Sequence, residues 1–188
     1  MGFNDARRGV MGYYDLAREA RLILTNLKKA TPVSQSPNPQ IALWEARLQD
    51  LGIYVASALA EMEDLEGSAR HLKSLNPAFG TGNIEFQKAL LWLYIGDVDA
   101  ARSCISKEAT GRDDKVILAL SLIADSDPAA AVPVWEDLIA ESPDSGATAM
   151  YRQNLAVCYL YLGKLSDVRF LPLFSQNPHF PVLDFMTS

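Results

Sequence analysis

The sequence predicts an all-α fold, a solenoid of stacked helical hairpins, and three observations carry that reading. Apolar residues recur at three- and four-residue steps along most of the chain, the spacing of one face of a helix. No run alternates apolar and polar residues between turn signals, so no strand is expected. Small residues recur in register: Ala56, Ala89, Ala119 and Ala156 are each followed three places on by Leu59, Trp92, Leu122 and Tyr159. A small residue lets two helix backbones approach closely, while the bulky one fills the space beside the contact.

Taken in order, residues 12–30 read as one helix, unpaired or left from a truncated repeat. Tyr14, Ala17, Ala20, Ile23, Leu24 and Leu27 form its stripe, and Pro32 ends it. The preceding MGFNDARRG is too polar to supply a packing face. The expectation is therefore a chain cut from a longer protein, or one that opens on an unpaired helix. Residues 31–39 are a breaker-rich loop, TPVSQSPNP. Four hairpins follow at 40–76, 83–110, 112–142 and 145–178, then a tail at 179–188, and the whole of 1–188 is read as a single repeat domain.

The hairpin at 83–110 is the clearest. Ala89, Trp92 and Ile95 share one face, Gly96-Asp97 makes the turn, and Ala101 with Ile105 marks the second helix. The small residues of the second helices fall at Ala17, Ser68, Ala101, Ala131 and Val168, separated by 51, 33, 30 and 37 places. Gly96 and Gly163 hold matching turn positions, taken by Glu63 and Ser126 in the other two hairpins. Pro128 suits the first turn of a helix, whereas Pro133 lies deeper and is expected to perturb it.

Composition narrows the function classes. With 49% hydrophobic and 21% charged residues, wholesale disorder is excluded. The balance of 17 Lys and Arg against 23 Asp and Glu gives −6, which argues against nucleic acid or an anionic membrane as partner. No apolar run approaches the roughly 20 residues that span a bilayer, and the opening residues lack the apolar core of a signal peptide. Cys104 and Cys158 lie in helical patterns without a motif, which suits a reduced intracellular compartment.

Catalytic chemistry finds little support. His71 and His179 are the only histidines; His71, beside Arg70 and Lys73, reads as a solvated side chain. Two histidines and two dispersed cysteines lack the close-spaced ligand pairs of a zinc set. FGTGN (79–83) follows no strand and reads as a linker rather than a phosphate cradle. Glu61, Glu63, Asp64 and Glu66 read as a solvated acidic edge. No catalytic residue, metal or cofactor is expected, and the chain is read as non-enzymatic.

The register of small and bulky residues resembles the tetratricopeptide repeat over most of the chain, best in the repeats with Gly96 and Gly163. The spacings of 30 and 37 depart from that family's 34. The resemblance implies a right-handed solenoid whose first helices line a concave groove, and Gly12 with Tyr13-Tyr14 would then be a turn opening a second helix. The groove positions it implies are Ile53, Ser57 and Ala60, then Asn83, Phe86, Leu90, Leu93 and Tyr94, then Val116, Leu120 and Ile123, and finally Met150, Gln153, Val157, Leu160 and Tyr161. The Lys and Arg of the family's carboxylate-binding members are missing there, and Asn83 is the only Asn. The face is apolar instead, which marks either an interface or a surface covered by superhelical packing or by the tail HFPVLDFMTS. Phe86, Leu90, Leu93, Tyr94, Leu120, Gln153, Val157, Leu160 and Tyr161 are taken as the partner-binding set.

The phrases LILTNL and LWEARL, followed by LLWLYIGDVDAARSCI, are similar to the carboxy-terminal repeat region of the subunit 12 family of trafficking protein particle (TRAPP) complexes. That resemblance implies a vesicle-tethering scaffold in ER-to-Golgi traffic. It would be cytoplasmic and peripheral at those membranes, with other TRAPP subunits, the large eleventh one included, as partners. A generic repeat adaptor that captures an amphipathic peptide in the groove is the alternative.

Overall fold

The computed structural model describes residues 3–30, 38–76, 83–106, 108–142 and 146–164. Every regular element among them is a helix, so the all-α expectation holds. The chain separates into two compact units, Met1–Asp97 and Val98–Ser188, each described by itself. The boundary falls within the hairpin expected at 83–110.

The first unit holds α1 (Phe3–Ala30), α2 (Pro39–Glu61), α3 (Leu65–Ser74) and α4 (Ile84–Tyr94). Its centre is α2, against which α1, α3 and α4 all pack. Asn38 caps α2 by accepting from the Gln40 amide at 3.0 Å, and Pro39 follows in the first turn, where its missing N–H costs nothing. Val10, Val55 and Leu59 form a buried cluster with Tyr13 and Met62 against it. The Tyr13 and Tyr54 rings stack at 5.7 Å, and Lys28 pairs with Glu45 at 2.7 Å, so α1 is tied to α2 along its length. Gly52 has a local reason to be glycine: a Cβ there would fall 2.3 Å from the Leu75 side chain.

Helix α1 differs from the expectation at its start. It begins at Phe3 rather than residue 12 and runs through Gly12 without a turn. Its buried stripe is Val10, Ala17 and Ala20, while Tyr14 stays more than a third exposed. Packing on α2, not the composition of the opening residues, carries the helix upstream.

The second unit holds α5 (Val98–Arg102), α6 (Arg112–Ala124), α7 (Pro128–Glu141) and α8 (Thr148–Tyr161), packed in that order. Trp135 is fully buried and meets the Tyr151 ring at 5.8 Å. Arg102 reaches Asp125 at 2.5 Å, and Lys115 pairs with Glu141. One expectation is corrected here. Cys104 lies beyond the end of α5 rather than within it, its thiol donating to the Ala100 carbonyl at 3.4 Å. Helix α7 continues through Pro133. One missing hydrogen bond does not break a helix whose Ala131, Trp135 and Leu138 are buried on either side of it.

The hairpin turns share one geometry. At the ends of α2, α4, α6 and α8 the residues Glu63, Gly96, Ser126 and Gly163 have φ of 64°, 85°, 62° and 69°. In each, the next residue's amide donates back to Leu59, Trp92, Leu122 or Tyr159 at 2.9 Å. This paired closure of a helix end satisfies carbonyls that would otherwise be orphaned. The acceptors are the residues that the sequence register set three places after each alanine. Those alanines, Ala56, Ala89, Ala119 and Ala156, are all buried, as are Ser68, Ala101 and Ala131 in the second helices. Val168 and the second arm at 165–174, with the tail, lie outside the described residues.

Candidate interaction surface

Helices α4 and α8 each have two apolar sides. On α4, Ile84, Ala89 and Trp92 are buried, whereas Phe86, Leu90 and Leu93 are only partly covered and Tyr94 is 46% exposed. Phe86, Leu90, Leu93 and Tyr94 are spaced i, i+4, i+7 and i+8, so one helical face carries all four. On α8 the buried side is Tyr151, Leu155, Ala156 and Cys158. The matching positions Gln153, Val157, Leu160 and Tyr161 lie on the other side: Val157 is partly covered, Gln153 is exposed, and Leu160 and Tyr161 are 52% and 54% exposed. Leu120 on α6 is partly covered. The first unit thus carries one such face and the second unit another.

Other groove positions are corrected by their burial. Ile53, Ala60 and Val116 are core residues, because α2 and α6 each have packed neighbours on more than one side. Asn83 is a helix cap: its side chain accepts from the Phe86 amide at 3.4 Å. Asp64, from the acidic edge, caps α3 through the Gly67 amide at 2.8 Å. Glu66 pairs with Arg70 at 3.1 Å on the exposed surface, which is worth little.

His71 is not simply solvated. It is half-buried on α3, its Nε2 sits 2.8 Å from the Tyr14 hydroxyl of α1, and the two rings lie 5.5 Å apart. Burial first, then the nearby Arg21 and Arg70, hold its pKa below the ordinary value, against a smaller opposing pull from Asp64. Cys158 is fully buried, and desolvation pushes its thiol up to about 11, so it is not poised as a nucleophile. His179 lies outside the described residues. Among those described, no group of three His, Cys, Asp or Glu side chains gathers around a point, and no helix is long and apolar enough to cross a membrane.

Sequence reasoning missed a second surface. Between α1 and α2 runs an open groove of about 300 Å³, with Leu16, Ala20 and Ile23 on one side and Trp44, Leu51 and Tyr54 on the other. Glu19, Arg47 and Asp50 also line it. The helical spacing of Trp44, Arg47, Leu51 and Tyr54 was a usable signal, but only the position of α1 turns that stripe into a groove wall.

Comparison with protein-family models, with curated proteins and with solved structures finds no match to this chain.

Proposed function

We propose that the chain is a non-catalytic protein–protein interaction scaffold, a solenoid of helical hairpins that binds through the outward faces of its first helices. The observation that carries this reading is the recurrence of Leu93-Tyr94 and Leu160-Tyr161. Both tyrosines close their helices immediately before a turn, and both stay about half exposed. Half-exposed tyrosines are favoured binding anchors, because they bring large area at a small entropic cost.

The finer reading is a subunit of a TRAPP-type vesicle tether in ER-to-Golgi traffic, peripheral at those membranes, with other TRAPP subunits including the large eleventh one as partners. It rests on the likeness of the phrases LILTNL, LWEARL and LLWLYIGDVDAARSCI, the first two above all. The alternative adaptor for an amphipathic peptide uses the same faces. Affinity capture from native lysate with mass spectrometry separates the two. A tether subunit retains a fixed set of large partners, whereas an adaptor releases them to a competing amphipathic helix. In either case Tyr94→Asp combined with Tyr161→Asp removes the captured proteins, and retention of the full set by the double variant contradicts the proposal.

A further inference from the structure

We infer that Ser142 is a phosphorylation site, whose phosphate Arg112 holds so as to tie α6, α7 and α8 together at one junction. The site lies within the second unit and is separate from the faces of α4 and α8. Ser142 caps the end of α7, half-buried and outside the helical region with φ of −150° and ψ of 62°. Pro143 follows it in the sequence, and a residue before proline is biased away from the helical region. Such an acceptor suits a serine kinase that binds an extended segment and reads a following proline.

The Ser142 hydroxyl is bonded in the sense that chemistry needs. Thr25, Ser74, Ser103, Ser106 and Thr148 each donate their hydroxyl proton to a carbonyl or carboxylate oxygen. Ser142 instead accepts from the Arg112 guanidinium, Nη2 to Oγ 2.6 Å, in a contact open to solvent. Its own proton is left to leave as Oγ attacks the γ-phosphorus of a nucleoside triphosphate. The Oγ–P bond forms, the bond to the bridging oxygen breaks, the nucleoside diphosphate departs, and the proton passes to the kinase's base.

The surroundings then hold the charge. Arg112 has no ion pair among the described residues, so its planar fork can take two phosphate oxygens. Glu141, the adjacent acid, is already paired with Lys115, and Asp114 accepts from the Ser106 hydroxyl. Asp113 and Asp144, each near in sequence, oppose the phosphate, as does the negative end of α7. Against them stand Arg112 and the positive ends of two helices. Arg112 opens α6 and Thr148 opens α8, both bond to Ser142, and neither helix is closed by a side-chain cap. Phosphate in place of the hydroxyl exchanges a neutral acceptor for a charged one that binds all three helices more tightly.

The test treats the full chain with a purified proline-directed serine kinase and magnesium ATP. Mass spectrometry then maps the phosphate and the amide hydrogen exchange of residues 112–118 and 148–154. Phosphate is expected on Ser142, and exchange in both stretches should slow about tenfold, the gain of roughly one charge-assisted hydrogen bond. Ser142→Ala should show neither. Arg112→Ala changes an exposed side chain and leaves the acceptor in place, so it should take up the phosphate without the slowing. Three results would each overturn the inference: an unmodified Ser142 in a reaction that fully phosphorylates a control Ser-Pro peptide, exchange unchanged or faster once Ser142 is modified, or equal slowing in phosphorylated Arg112→Ala.

Discussion

Glu63 and Ser126 hold a left-handed backbone conformation that costs an L-residue about 1–2 kcal/mol, whereas Gly96 and Gly163 hold it without a side chain. The shared turn geometry imposes the conformation, because the same two amide bonds close each helix. Glycine at position 63 or 126 relieves that strain but loses more freedom on folding, roughly 0.5–1 kcal/mol. Glu63→Gly and Ser126→Gly should therefore each stabilise by up to about 1 kcal/mol, seen as a raised urea midpoint, and Gly96→Ala should lower it. A second residue-scale expectation concerns Ser68 and Ser121, whose hydroxyls are fully buried with no hydrogen-bond partner among the described residues. Burying an unpaired hydroxyl costs about 1–3 kcal/mol by mutational data, and Ala already fills the position equivalent to Ser68 in α5 and α7. Ser68→Ala and Ser121→Ala should raise the midpoint, each by about 1 kcal/mol. These turns and small positions were legible in the sequence because a local pattern dictates them. The strain at 63 and 126 was legible only by matching those positions to Gly96 and Gly163.

At the scale of the helices, α4 separates core from surface most clearly. Trp92 is 3% exposed, with the Lys73 ammonium 5.9 Å from its ring centre, while Tyr94, two residues on, is about half exposed. Trp92→Ala should cost roughly 3–5 kcal/mol, and Tyr94→Ala less than about 1 kcal/mol, measured by chemical denaturation. The contact between α1 and α3 should respond to pH through His71. Its folded-state pKa lies below the ordinary value of 6.5, so the folded chain favours the neutral ring and the unfolded chain takes up the proton first. The contribution is fully present above about pH 6.5 and is lost as pH falls through the folded value. His71→Gln should flatten that acidic limb of the stability profile, read by melting temperature from pH 7.5 to 5. The tie between Tyr14 and His71 was not legible, since it joins residues 57 places apart. Nor was the start of α1, which tertiary packing extends past what its composition suggests. The continuity of α7 through Pro133 is a similar case: burial on both sides outweighed a local breaker.

For the molecule as a whole, the sequence carried the helical class and the buried side of each first helix, because a period and a small residue mark that side directly. It carried the binding face less well. Ile53, Ala60 and Val116 share the register of Phe86 and Leu93 yet are buried, since exposure depends on how many helices pack around each one. A repeat register alone does not contain that information. Tyr94 and Tyr161 are therefore the positions that must act as contact residues rather than core if the first helices bind a partner. Replacing each in turn by a photoreactive benzoylphenylalanine keeps an aromatic side chain at the site and reports what lies against it. Irradiation in native lysate should yield a discrete cross-linked partner from positions 94 and 161, and little from the exposed Glu85 on the same helix as Tyr94. Cross-links from position 85 with none from 94 or 161 would contradict the account and move the binding surface to another face.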